Sequence, residues 1–336
     1  MKKINVFHII FISMILCLGL AVILRIKGWV RVVDPTRISG PDEGIADFEC
    51  HDHIMPLTDY EYNLIRQNEE TILILGNDPF ASDRSGKNGL GAMLEDASGA
   101  EVINCAVQGS YIGMTEPCFD LEKNPMNIFT PYYLACVACA GKDYAADLEM
   151  SEKAMGDSFP EGGREVLSCL SDTDMTSVDV IVLFYDGEDY LKSTPTGLDD
   201  TRYSDPYSTY LGSFSATVEL LKAYAPGARL IVMSAPYMYV NGQDGAPEAC
   251  EDHPNDEGAD LSDYVLGMYR MCVNNYDITF LDNYYTGINY SDGMEYLTDG
   301  RYLNRKGRKL ILDRLMYAMT YYDESNLGNV FTEGIK

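Results

Sequence analysis

The chain has 336 residues, 46% of them hydrophobic, which is enough to bury a sizeable core and excludes a disordered chain. It sets 25 Lys plus Arg against 52 Asp plus Glu, a formal net charge of −27. That balance argues against nucleic-acid backbones and anionic lipid surfaces as ligands of the acidic body.

The first 31 residues depart from this balance, with Lys2, Lys3, Arg25, Lys27 and Arg31 and no acid. Within them Ile4 to Leu24 is uncharged, broken only by Asn5, His8 and Ser13, and about 20 apolar residues suffice to cross a bilayer as a helix. The run leads into Arg25-Ile26-Lys27-Gly28-Trp29 without a small-residue cleavage site, so residues 1–31 read as an uncleaved membrane anchor held through residues 4–24. Cys17 follows Met14-Ile15-Leu16 rather than a small residue, which argues against lipid attachment. Basic residues flank the run on both sides, so charge does not decide orientation. The expected arrangement places the acidic body outside the cytoplasm.

Residues 32–69 carry Pro35, Gly40, Pro41, Gly44 and Pro56 with little periodicity and read as a stalk ending in a short helix at about Leu57–Asn68. Five short apolar runs bounded by turn residues follow: Thr71–Leu75, Glu101–Ala106, Asp179–Tyr185, Arg229–Ser234 and Ile278–Leu281. Such runs are the pattern of parallel strands buried on both faces. Between them, Leu211, Phe214, Val218, Leu221 and Leu261, Val265, Met268, Cys272 recur at helical spacing, as do Ile311, Leu315 and Met319 in a last helix over about 304–321. Alternating strands and helices predict a doubly wound α/β sheet in the order 2-1-3-4-5 with helices on both faces, occupying residues 70–322. Residues 107–178 read as a helical insertion, with helices at 132–141 and 144–155, and residues 323–336 as a tail.

Beyond Cys17 there are eight cysteines, an even number that permits disulfides, although several lie in apolar stretches where a free thiol is common. Cys136-Val137-Ala138-Cys139 has no second pair at zinc-site spacing and sits in an apolar helical segment, so it reads as core. His51 and His53, alternating in a polar stretch, read as solvent-facing.

In open α/β sheets, ligands bind at the carboxyl ends of the strands. The residues there are Gly76-Asn77-Asp78, the stretch from Asn104 to Gly109, Asp186-Gly187-Glu188-Asp189, and Asp299-Gly300-Arg301-Tyr302 before the last helix. Their order and spacing resemble the SGNH/GDSL hydrolase family, whose blocks are Gly-Asp-Ser, a glycine, Gly-x-Asn-Asp and Asp-x-x-His. The resemblance implies an ester-hydrolase fold with the nucleophile position at Asp78, the base position at Tyr302, and oxyanion donors at Gly109 and Glu188. Of the chemically active positions only Asp299 and Gly109 keep the family residue.

These replacements disfavour serine-type hydrolysis. Tyrosine, with an ordinary pKa of about 10, is protonated at neutral pH and is a poor base. An ionised Glu188 accepts hydrogen bonds only, so it repels an oxyanion where asparagine would donate. Ser82, Ser85 and Ser110 lie nearby in sequence but have no adjacent base. No catalytic residue is assigned.

The triad is replaced by acids: Asp78, Asp186, Glu188, Asp189 and Asp299. Four readings stay open: solvated loop carboxylates, a sugar- or peptide-binding pocket, a Ca²⁺ or Mg²⁺ site, and an acid/base pair such as Asp78 with Glu188. Asp78, Gly109, Glu188, Asp299 and Tyr302 are expected to converge on one cleft, where like charges call for a proton, a cation or a basic side chain, with Arg301 and Arg84 nearest in sequence. The expected function is binding of a cell-envelope carbohydrate or a partner by a catalytically inactive hydrolase fold. The alternative is a carbohydrate or lipid esterase or deacetylase using other groups.

Overall fold

The computed structural model describes residues 69–197, 205–242, 246–274 and 278–320, together with 54, 55, 57, 61 and 63–66. The anchor, most of the stalk, Cys17, Cys50, His51, His53 and the tail lie outside the described residues. Among the described residues no helix is long and apolar enough to cross a membrane.

In chain order the strands are β1 (Ile54–Met55), β2 (Thr71–Gly76), β3 (Glu101–Asn104), β4 (Val180–Phe184), β5 (Arg229–Met233), β6 (Tyr239–Asn241), β7 (Pro247–Ala249), β8 (Ile278–Leu281), β9 (Leu297–Thr298) and β10 (Tyr302–Leu303). The helices are α1 (Asp78–Ala81), α2 (Leu90–Ser98), α3 (Pro131–Ala140), α4 (Ala145–Met155), α5 (Gly163–Asp172), α6 (Glu188–Leu191), α7 (Tyr210–Tyr224), α8 (Leu261–Asn274), α9 (Gly293–Tyr296) and α10 (Arg305–Thr320).

The central sheet runs β1-β8-β5-β4-β2-β3. Its five long strands are parallel and in the expected order, with Ile72 opposite both Val102 and Val180, Ile181 opposite Leu230, and Leu230 opposite Ile278. β4 and β5 are buried at every position, which is why neither alternates with polar residues. A sixth strand was not expected: β1, within the segment read as stalk, pairs antiparallel with β8 through Ile54 and Leu281. Where the short helix was expected, Glu61 is helical and Asn63 and Leu64 lie in a turn, and much of that segment is outside the described residues. The insertion holds a third helix, α5, besides the two expected.

Side chains alternate across the sheet. Ile72, Ile74, Val182, Phe184, Ile231 and Met233 face α2 and α10 in one core cluster. The intervening residues face the layer of α3, α7 and α8, where Tyr269 meets Phe280 edge to face at 5.5 Å. Arg229 ties the layers together. It is fully buried at the start of β5 and donates to Thr279 Oγ1 at 3.1 and 3.2 Å, to the Ala318 carbonyl at 2.7 Å and to the Met319 carbonyl. A cation on the last carbonyls of α10 satisfies acceptors that have no intrahelical donor.

Candidate functional site

The chain leaves β2 through Gly76, whose hydrogen is required because an added Cβ would lie 2.4 Å from the Phe184 carbonyl oxygen on the neighbouring strand. Asn77 follows, fully buried. Its amide nitrogen donates to the Ser110 carbonyl at 2.9 Å and to Asp186 Oδ1 at 2.6 Å, and its oxygen accepts from the Asp186 backbone at 2.8 Å. One side chain thereby joins the ends of three strands. Sequence reasoning missed Asn77, although an uncharged amide where the family block carries aspartate was the available signal.

Asp78 opens the short helix α1 and is 4% exposed. Its Oδ2 accepts the backbone N–H of Gly109 at 2.7 Å. The Gly109 amide therefore already holds a carboxylate of the same chain. Gly109 has a φ of +71°, a backbone conformation that glycine adopts readily and that aims its N–H at Asp78.

The third strand end supplies Asp186, also buried, whose Oδ1 accepts the Glu188 backbone N–H at 3.0 Å. Burial pushes the Asp186 carboxyl up to about 7, with the neighbouring charge of Asp78 adding to the effect and Arg301 and Asn77 opposing it. Arg301 ion-pairs with Glu188 and lies 3.8 Å from Asp186 Oδ2. Burial works against the guanidinium charge, but Asp186 and Glu188 carry its pKa above the ordinary value. Its guanidinium carbon also lies 5.0 Å from the centre of the Tyr302 ring. The Tyr302 hydroxyl is raised, first by burial, so it stays protonated at neutral pH.

A small cavity of about 10 Å³ is lined by Asp78, Ser82, Asp186, Arg301 and Tyr302, with Pro79, Pro236 and Leu303 as its apolar wall. Asp78, Asp186 and Tyr302 thus meet there, while Gly109 and Glu188 hold Asp78 and Arg301 from behind. Asp189 and Asp299 are elsewhere. Asp189 is 2% exposed and accepts the N–H groups of Ile112 and Gly113 at 2.8 and 3.0 Å, pinning the start of the insertion. Burial raises its carboxyl to about 6 against the lowering effect of those amides. Asp299 is exposed in the β9–β10 turn, where its φ of +53° and that of Gly300, +70°, reverse the chain so that Arg301, two residues on, lines the cavity.

Arg301 supplies the positive charge that the acid cluster calls for, and Arg84 does not, since its Nη1 donates to the Asn104 carbonyl at 3.2 Å. Among the described residues no group of three or more His, Cys, Asp or Glu side chains is arranged to hold a metal ion. Ser110 is fully buried with its hydroxyl on the Gly76 carbonyl at 3.3 Å, and Ser85 is exposed. His253 pairs with Glu248 at 2.5 Å and does not line the cavity. Chemically, the cleft offers carboxyl oxygens, one proton held near neutrality, a phenol and a guanidinium to polar groups of a ligand. Ser82 shares the cavity with the carboxyl groups of Asp78 and Asp186, and the Gly109 amide is occupied by Asp78.

No protein-family model matches the sequence, and no curated protein is significantly similar to it. Solved structures do match. One is 20% identical, covers 75% of this chain and 96% of its own, and has a TM-score of 0.51. A protein from Lactobacillus plantarum is 16% identical over 75% of this chain and 97% of its own, with a TM-score of 0.48. The lipase/acylhydrolase from Enterococcus faecalis is 13% identical over 77% and 96%, with a TM-score of 0.39. At these identities the likeness is one of fold alone.

Proposed function

We propose that this chain is a membrane-anchored protein with its SGNH-hydrolase-like body outside the cytoplasm. In this reading the former active-site cleft binds a cell-envelope ligand rich in hydroxyl groups and does not hydrolyse esters through a serine. The observation that carries it is the 2.7 Å hydrogen bond from the Gly109 amide to Asp78. An oxyanion needs preorganised, unoccupied donors, and losing one costs about 2.7–4 kcal/mol in transition-state stabilisation. Here the donor is engaged by a negative charge at the position where a nucleophile would stand, so the loss is compounded by repulsion. The cavity suits hydroxyl groups because its acids accept and its guanidinium and phenol donate.

The test uses the full-length protein in detergent. A fluorophosphonate probe is expected to leave it unlabelled, and isothermal titration with N-acetylglucosamine oligosaccharides is expected to give heats that Asp78→Ala abolishes. Labelling at Ser82 would overturn the inactive reading, and heats unchanged in Asp78→Ala would overturn the cleft as the ligand site.

One observation favours the second reading, an esterase or deacetylase using carboxyl groups. Asp186 holds its proton up to about pH 7 beside Asp78, as a general acid would. Ester turnover that is lost on both Asp78→Asn and Asp186→Asn would establish it.

A further inference from the structure

The cleft holds more acid than base, and its two most buried acids each have an oxygen to spare. Asp78 is 4% and Asp186 9% exposed, and both line the cavity. Asp78 Oδ2 accepts the Gly109 N–H at 2.7 Å, and Asp186 Oδ1 accepts from Asn77 Nδ2 at 2.6 Å and from the Glu188 N–H at 3.0 Å. Among the described residues no hydrogen bond reaches the second oxygen of either. Asp186 Oδ2 has the Arg301 guanidinium at 3.8 Å, too far for a hydrogen bond, and nothing donates to Asp78 Oδ1. Arg301 is committed on its other sides, to an ion pair with Glu188 and to the Tyr302 ring, whose centre lies 5.0 Å from the guanidinium carbon.

We propose that the group this cavity takes is the ammonium of an unacetylated amino sugar, held between Asp78 and Asp186. The proposal rests on the reading of the cleft as a carbohydrate site and narrows it to one ligand chemistry. Size is the first reason. A cavity of about 10 Å³ admits a single water-sized group, which an ammonium is and an acetamido group is not. Hydrogen bonding is the second: an ammonium brings three donors and no acceptor, and the lining offers the spare oxygens of Asp78 and Asp186 with the hydroxyls of Ser82 and Tyr302. Charge is the third. Three carboxyl groups face one guanidinium, and a cation meets that excess where a sugar hydroxyl does not.

Proton linkage gives the proposal a signature of its own. Without ligand, burial first and the charge of Asp78 second hold the Asp186 proton up to about pH 7, against Arg301 and Asn77, with Glu188 adding to the rise. A bound ammonium favours the carboxylate, so binding below that pH expels the proton. The proton and the ligand therefore compete, and affinity rises as pH increases from 5 toward 7. Tyr302, the other titratable group of the lining, is raised by burial and keeps its proton throughout this range. A neutral ligand that enters through hydroxyl groups leaves the Asp186 proton in place and shows neither effect.

The test is isothermal titration of the full-length protein at pH 6 with a glucosamine tetrasaccharide and with its N-acetylated counterpart, each in buffers of different ionisation enthalpy. The free amine is expected to bind at least ~10-fold more tightly, as a charge-assisted hydrogen bond would give, and to release roughly 0.5–1 proton per ligand. Asp186→Asn should abolish the proton release and cut the preference several-fold. Asp78→Asn, which keeps an oxygen for the Gly109 amide, should also cut the preference, so either variant that folds decides the matter. Equal affinity for the two sugars, or a preference without proton release, would overturn the proposal and leave the cleft as a carbohydrate site. A preference unchanged in both variants would place the ammonium elsewhere on this acidic surface and overturn it too. Absence of binding by either sugar would overturn the carbohydrate reading and the proposal together.

Discussion

The two ends of the central sheet each bury an aspartate near an arginine, yet they are built differently. At the amino-terminal edge Asp179 accepts the N–H groups of Glu70 and Thr71 at 3.1 and 3.2 Å and pairs with Arg66 at 3.3 Å, while Arg66 also donates to the carbonyls of Thr176 and Val178. One carboxylate and one guanidinium balance, and every contact joins the start of one strand to its neighbour. At the carboxyl edge Asp186 and Glu188 share Arg301, and Asp78 adds a third acid beside Asp186. The first arrangement fixes register. The second leaves negative charge that must be met by a proton or by a ligand, which is how a binding cleft differs from a structural ion pair with similar parts.

The largest expected effect lies at the balanced edge. Asp179→Ala strands two backbone donors and a guanidinium, so urea denaturation is expected to show a loss of about 3–5 kcal/mol. A loss below about 1 kcal/mol would mean that the two edges do not differ in this way. Next comes Asn77→Ala, which removes three buried hydrogen bonds from the strand ends and is expected to cost about 2–3 kcal/mol by the same measurement.

The imbalance itself is read from pH. The Asp186 carboxyl is raised in the folded protein, from the ordinary value of 3.8 to about 7, so between these values the folded state holds a proton that the unfolded state lacks. Its contribution to stability is therefore greatest at low pH and is lost as pH rises toward 7. About 2 kcal/mol is expected to disappear between pH 5.5 and 7, and Asp186→Asn, which keeps the oxygen that accepts from Asn77 and Glu188, should flatten the curve and be the more stable protein at pH 8. An unchanged slope in the variant would place the titrating group elsewhere. The smallest effect is expected for Asp299→Asn, within about 0.5 kcal/mol, because Asp299 is exposed in its turn.

Much of the architecture was legible because parallel strands buried on both faces are continuous apolar runs, and the five runs gave strands in the expected order. The two-residue β1 and the short hairpins of β6 with β7 and β9 with β10 carry too few residues for a period to register. In the site, the positions of Asp78 and Tyr302 followed from block spacing, but the fates of the other acids did not. Asp189 is consumed by amides of an insertion 77 and 76 residues away, and Asp299 is turned outward by a left-handed backbone. Both depend on contacts or dihedral angles that residue type alone does not specify.

Turnover of a short acetyl ester by the full-length protein, measured across pH 6 to 9 beside Asp78→Asn and Asp186→Asn, addresses the cleft most directly. If Asp78 holds the Gly109 amide and so leaves no donor for an oxyanion, all three proteins should match the uncatalysed rate at every pH. Turnover well above that rate, falling to background in either variant, would show that these carboxyl groups perform chemistry and would contradict the account of a cleft that binds without cleaving.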